Sequence, residues 1–209
     1  MQLVPLTVAG VPRRYLLFRP PAAAGPLPLV VLLHGTGGSA AWADDETGWS
    51  RLAAAERFLL ALPDGLPPDP AAPPRFLTNP QRFNDGSSND APFPPGPDDV
   101  AFLAAVVADA VERGPADPRR VYVTGFSNGA GMAFRFAAER ADLLAAVAPV
   151  AGYCWLPDPK PSRPVPTLYV VGAADPLIPP AGGEVRLPWG NRVVHRRPVG
   201  ETRAKWAAA

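Results

Sequence analysis

Cysteine is nearly absent from these 209 residues, Cys154 being the single one. One thiol cannot close an internal disulfide, so a disulfide framework and a multi-cysteine metal site are both excluded. Histidine is scarce too, with only His34 and His195, which limits any chemistry that needs an imidazole base. Net charge is small, +1 from 20 basic and 19 acidic residues. The basic residues are scattered, and the tight cluster His195-Arg196-Arg197 reads as a solvated approach to a helix. Balanced, dispersed charge carries no footprint of a nucleic-acid binder. No apolar window reaches the length of a membrane span. The N-terminus, M-Q-L-V-P-L-T-V-A-G, lacks the basic start and long apolar run of a signal peptide.

What remains is an ordinary globular composition, 47% hydrophobic and 19% charged, at a length that fits one sizeable core. Residues 1–209 are therefore read as one domain. Leu3–Val8 and Tyr15–Phe18 flank the turn Ala9-Gly10-Val11-Pro12 and predict an antiparallel hairpin at a sheet edge. Leu29–Leu33 is a continuous apolar run, as a parallel strand buried on both faces requires. Trp49–Arg57 predicts a helix, Phe58–Leu62 a strand, and Pro63-Asp64-Gly65 its exit turn. Asp98–Arg113 predicts a helix that carries Val100, Leu103, Val106, Val107 and Val111 on one face and two acids at its start. Strands at Leu144–Val150 and Leu168–Val171 complete an α/β plan, doubly wound around a mostly parallel sheet.

The chemistry is concentrated in V-Y-V-T-G-F-S-N-G-A-G-M-A, Val121–Ala133. A β-branched run, a serine between two glycines, and a helix-forming stretch with Met132, Phe134 and Phe136 make a nucleophile elbow with Ser127 at its apex. A serine hydroxyl reacts only when it stands clear of the backbone beside a base and near N–H groups that receive oxyanion charge. Gly125 and Gly129 remove the Cβ atoms that would collide in so sharp a turn. From 19 glycines and six serines, chance places such a pattern in roughly 0.05 of comparable chains. The competing interpretation is a glycine-rich turn that serves close packing alone.

Leu33-His34-Gly35-Thr36-Gly37-Gly38-Ser39 follows the buried strand, where the fold that carries such an elbow takes one oxyanion donor. The donors are then the Thr36 and Asn128 N–H groups, and His34 braces the loop. A phosphate loop is the rival, but the Lys-Ser/Thr that should follow it is missing. Asp175, in V-V-G-A-A-D-P, stands after a strand and 48 residues beyond Ser127. The chain order serine, acid, histidine makes it the acid that would fix an imidazole tautomer; the competing reading is an Asp-Pro turn former. Proline is abundant at 30, and much of it sits in Pro63–Pro97 and Pro149–Pro188, stiff loops beyond strand ends that either wall a substrate cleft or are surface insertions. Cys154 is read as a half-buried thiol near a strand end with no activating histidine nearby.

H-G-T-G-G-S-A, L-P-D-G, F-N-D-G, D-D-V-A-F-L, D-P-R-R-V-Y-V-T-G-F-S-N-G-A, A-A-V-A-P-V-A-G and A-D-P-L-I-P, in this order, resemble the polyhydroxybutyrate depolymerase type of esterases. That α/β-hydrolase family also contains feruloyl and acetylxylan esterases. The resemblance runs from about Leu29 to the end. It implies a secreted serine esterase with no cofactor, acting on a small or polymeric ester through an acyl-enzyme. It also implies nucleophile Ser127, acid Asp175 and oxyanion positions Thr36 and Asn128, with Phe83-Asn84-Asp85-Gly86 as a loop near the site, Phe83 standing where the family usually has tryptophan.

The family's triad histidine follows a late helix and one further strand, whereas this sequence stops at Trp206-Ala207-Ala208-Ala209. The expectation is accordingly a domain incomplete at its C-terminus, without the last strand and histidine loop. His195 has the right place in chain order, but it precedes the predicted helix Glu201–Ala208 and sits among arginines that disfavour an imidazolium. Three readings follow: a serine esterase, a catalytically impaired relative that binds ligands or a partner, and a peptidase on the same fold.

Overall fold

The computed structural model describes residues 1–21, 25–87, 98–187 and 192–209. The order of elements is β1 (Gln2–Val8), β2 (Val11–Phe18), β3 (Leu27–Leu33), α1 (Ala40–Thr47), α2 (Trp49–Glu56), β4 (Leu59–Pro63), α3 (Asp99–Arg113) and β5 (Ala116–Phe126). Then come α4 (Asn128–Glu139), a short 3-10 turn, β6 (Ala146–Val150), β7 (Gly183–Arg186), β8 (Val193–Arg196) and α5 (Val199–Ala207). Six strands form one sheet in the order β1-β2-β4-β3-β5-β6. Strands β4, β3, β5 and β6 run parallel, and the β1–β2 hairpin joins antiparallel along β4.

The apolar run of β3 is explained by burial on two sides. Leu29, Val31 and Leu33 pack in a cluster with Val106 of α3 and Phe136 of α4. Leu32 faces the other way, into a cluster with Ala40 and Ala43 of α1 and Ala53 of α2. β4 splits in the same fashion, Leu59 and Ala61 to one cluster, Leu60 and Leu62 to the other. Alternating side chains on a strand covered by helices on both faces leave no position that tolerates a polar residue.

Helix α3 starts where its acids suggest. The Asp98 side chain caps the helix by accepting from the Ala101 N–H at 3.0 Å. Asp99, though acidic, turns inward to a buried ion pair with Arg13 at 2.6 Å. The hairpin turn at Ala9-Gly10 takes φ of 48° and 80°, the left-handed pair that suits a tight two-residue connection.

Three expectations change. Leu168–Val171 is not a full strand: it adds two parallel bridges beside β6, at Thr167 and Val170, and Leu168 and Val170 are exposed. The residues around His195 form a strand, not a helix approach, pairing antiparallel with β7 in a separate two-stranded sheet. Cys154 is fully buried rather than half-buried. Of the two proline-rich stretches, positions 88–97 and 188 lie outside the described residues. No helix of the described residues is long and apolar enough to cross a membrane.

Candidate active site

Strand β5 ends at Phe126, helix α4 begins at Asn128, and Ser127 alone makes the turn between them. Its backbone sits at φ 55° and ψ −113°, a conformation that costs about 1–3 kcal/mol in a residue with a side chain. The surroundings hold it there. The Ser127 N–H donates to the Val150 carbonyl of β6 at 3.0 Å, while the Ser127 carbonyl accepts from Ala130 and Gly131 in the first turn of α4. A Cβ at Gly125 would lie 2.5 Å from the Gly129 backbone, and one at Gly129 only 2.3 Å from the Leu33 carbonyl oxygen. Both glycines are therefore required by close approach of β5, α4 and the end of β3. The result is a serine that is half-exposed rather than entombed.

Ser127 opens into a cavity of about 60 Å³ whose wall also includes Thr36 and Asn128. Asn128 is the first residue of α4, so its N–H has no acceptor within the helix. In the loop after β3, Gly37 donates to the Gln81 carbonyl and Gly38 to the Gly35 carbonyl. The Thr36 N–H has no such partner among the described residues. Two uncommitted backbone donors thus border the serine's cavity.

The Thr36 loop is braced from below by His34, which is buried. Its Nδ1 meets the Gly35 carbonyl at 2.7 Å, and its Nε2 accepts from the Gly65 N–H at 2.9 Å. These roles fix the tautomer with the proton on Nδ1, and burial holds the ring's pKa below the ordinary imidazole range. The Gly65 carbonyl in turn accepts from the Gln81 side chain at 2.9 Å. His34 therefore braces the loop, as its sequence position implies, and is spent in that role.

On the other wall stands the loop Phe83–Ser87. Asn84 N–H donates to the Asp99 carboxylate at 2.6 Å, and the Asn84 carbonyl accepts from Arg135 at 2.7 Å. Asp85 and Ser87 both line the cavity. The Asp85 carboxylate is buried and accepts from the Ser87 N–H and hydroxyl at 3.0 and 2.6 Å. Burial nevertheless pushes its carboxyl above the usual range.

Asp175 lies beside this cavity without lining it. Its Oδ1 accepts from the Leu177 and Ile178 N–H groups at 2.8 and 2.9 Å, and it is those two side chains that line the wall. The turn-forming role of Asp175 is therefore present. Its charge also reaches Tyr153, whose hydroxyl it helps to keep protonated. His195 points elsewhere: it is exposed on β8 and lines a neighbouring cavity of about 270 Å³, which it shares with Cys154, Glu201 and Lys205. Burial raises the pKa of the Cys154 thiol, with Lys205 acting against it. No cluster of histidine, cysteine and acidic side chains among the described residues could hold a metal ion.

Sequence reading missed Tyr153, Trp155 and Arg196, which line the serine's cavity. The signal for Arg196 was the period-two alternation of R-V-V-H-R-R, which puts His195 and Arg196 on opposite faces of a strand.

Residues 13–156 match the family described as Esterase PHB depolymerase. A protein of Nocardia uniformis subsp. tsuyamanensis named "Putative esterase NocK" is 37% identical over 182 residues, covering 83% of this chain and 48% of its own length. Feruloyl esterase B of Piromyces equi is 34% identical over 96 residues, 41% of this chain and 17% of that protein. The chain thus spans about half or less of the length of these two relatives. Among solved structures, native sOPH superposes with a TM-score of 0.67 at 19% identity, covering 84% of this chain and 68% of that one. At that identity the likeness speaks for the fold alone.

Proposed function

Because the chain belongs to the esterase PHB depolymerase family and has the α/β-hydrolase fold, we propose that residues 1–209 act as one domain that hydrolyses carboxylic esters, with Ser127 as nucleophile. In this reading β5, Ser127 and α4 are a nucleophile elbow. The Ser127 Oγ attacks the ester carbonyl as its proton passes to a general base, the Thr36 and Asn128 N–H groups receive the oxyanion, and collapse expels the alkoxide, which takes that proton and leaves as the alcohol; water then hydrolyses the acyl-enzyme. Asp175 is the acid that this chemistry pairs with an imidazole. The reading needs no cofactor, and export of the protein, which the resemblance implies, belongs to the same proposal. What carries it is one observation: a serine held at φ 55° between two glycines that admit no Cβ, half-exposed in a cavity bordered by two uncommitted N–H groups.

A second reading rests on the histidines. His34 is consumed in bracing and His195 lines another cavity, so neither of the two supports deprotonation of Ser127 and the domain would bind esters with little turnover. Losing one member of a triad costs several orders of magnitude, because its members act as a unit.

A fluorophosphonate probe and a p-nitrophenyl ester separate the cases. The esterase reading expects a single phosphonyl adduct mapped to Ser127, lost in Ser127→Ala, and steady release of p-nitrophenol. Labelling without turnover would favour binding alone. A folded protein that carries no label on Ser127 would overturn the proposal.

A further inference from the structure

Arg196 is a buried cation that the proposed hydrolysis does not use. It is 8% exposed, and its Nε has no hydrogen-bond partner. Two more arginines are buried, and both are engaged: Arg13 has the Asp99 carboxylate at 2.6 Å to offset the cost, and Arg82, which lines the same cavity, has partners of its own. No carboxylate pairs with Arg196 among the described residues. Removing a guanidinium from water without a counter-charge costs several kcal/mol, so the arrangement makes physical sense if an anion comes from outside.

The position of Arg196 fits that role. It is the last residue of β8, opposite Gly183 of β7, and its guanidinium carbon stands 5.7 Å from the Trp155 ring centroid, a cation–π contact that holds the head group in place. Arg196 lines the cavity that contains Ser127. So does Tyr153, 2% exposed, whose hydroxyl also has no partner. The two are close enough for the Arg196 charge to pull the Tyr153 hydroxyl's pKa down against the rise that burial imposes. A Tyr153 hydroxyl and an Arg196 Nε that both lack hydrogen-bond partners thus belong to two residues lining one small cavity, and in a desolvated space charge-assisted bonds are strong.

The nearby acids are engaged with other donors. The Asp85 carboxylate accepts from the Ser87 N–H and hydroxyl, and burial raises its pKa. Asp175 is turned to the Leu177 and Ile178 N–H groups.

Resting on the proposed esterase site and deepening it, we propose that Arg196 and Tyr153 form an anion subsite beside Ser127 that selects esters bearing a free carboxylate. The guanidinium binds the carboxylate, the Tyr153 hydroxyl donates to it, and the ester carbonyl is left over the serine. A carboxylate can stand on the acyl side, as in a dicarboxylic half-ester, or on the alcohol side, as in an acylated hydroxy acid.

The test is calorimetric binding to the Ser127→Ala protein, which reads the subsite without turnover. Monomethyl succinate probes the acyl side, 3-acetoxybutyrate the alcohol side, and dimethyl succinate and methyl 3-acetoxybutyrate are their neutral counterparts. At least one acid should bind about tenfold or more tighter than its neutral partner, with affinity falling as salt rises. Adding Arg196→Gln should abolish the difference, Arg196→Lys should retain part of it, and Tyr153→Phe should weaken binding of the acid severalfold more than binding of its neutral partner. Near-UV circular dichroism checks folding, and Tyr153→Phe keeps the test decisive if Arg196→Gln does not fold. Acids and neutral esters bound alike, or a preference that survives Arg196→Gln, would overturn the subsite. Ester turnover by the parent protein is scored separately: a carboxylate preference without turnover removes the esterase reading alone, and turnover without a preference removes the subsite alone.

Discussion

The side chain of Asn128 pairs with the backbone of Phe83 as a second strand would: Oδ1 accepts from the Phe83 N–H at 2.7 Å and Nδ2 donates to the Phe83 carbonyl at 2.9 Å. One residue thus lines the serine's cavity and uses its side-chain amide to hang the 83–87 loop, with Asp85 and Ser87, on the first turn of α4. The two walls of the site are coupled through it.

Asn128→Ala should therefore do more than remove a polar group at a helix start. It leaves the Phe83 N–H without its partner in a partly buried setting, while the Phe83 carbonyl keeps the Asp85 N–H at 3.0 Å, and an unsatisfied group costs about 1–3 kcal/mol. Urea unfolding should show a loss within that range or above, and hydrogen exchange at the amides of 83–87 should accelerate. Unchanged stability would mean the loop is held by Asp99 and Arg135 alone.

Gly129→Ala places a methyl 2.3 Å from the Leu33 carbonyl oxygen and 2.6 Å from that of His34. Backbone does not yield as a flexible side chain does, so α4 must shift and carry the Asn128 N–H with it. A destabilisation of about 1–3 kcal/mol, together with a fall in fluorophosphonate labelling of Ser127 at a temperature where the variant is folded, is the expected outcome. Labelling at the parent rate would show that the elbow tolerates the shift.

The Arg13–Asp99 pair joins β2 to the start of α3 at 2.6 Å with both side chains 1% exposed, and Arg13 lies 3.8 Å from the Phe102 ring centroid. Asp99→Ala strands a buried cation and should cost about 3–5 kcal/mol. Replacing both partners with apolar residues, Arg13→Met with Asp99→Leu, should recover much of that loss in denaturant melts. The Asn84 N–H, which also bonds Asp99, limits the recovery.

Stability should fall on the acid side because of His34. Burial lowers its folded-state pKa below the unfolded value of about 6.5. The unfolded chain therefore binds the proton first, and stability present above about pH 6.5 declines as pH falls below it. Asp85 acts with the opposite sign, since its raised pKa means that protonation at lower pH relieves a cost. His34→Gln, which offers a side-chain acceptor to Gly65, should flatten the slope of unfolding free energy between about pH 7 and 5. An identical slope in the variant would assign the acid loss to other groups.

Much of this arrangement was legible in the order of residues. Apolar runs at β3 and β4, the capped helix α3 and the glycine pair around Ser127 each express a local constraint: two covered faces, an N-terminal acid, a turn with no room for Cβ. Leu168–Val171 was over-read, because an apolar run does not reveal how many neighbours will pair with it. Arg196 was under-read for a related reason: three consecutive basic side chains suggest water until a strand sends alternate ones to opposite sides.

Residue order by itself determined the α/β-hydrolase plan and which serine stands at the turn, since periodicity and glycine spacing act over a few residues and need no distant partner. The tertiary structure alone decided that His34 is locked to Gly65, that His195 faces another cavity, and that Arg196 and Tyr153 converge beside Ser127. Those outcomes depend on contacts between segments distant in sequence, as from His34 to Gly65, 31 residues apart, or from Trp155 to Arg196, and on the desolvation that only a closed interior imposes on charge.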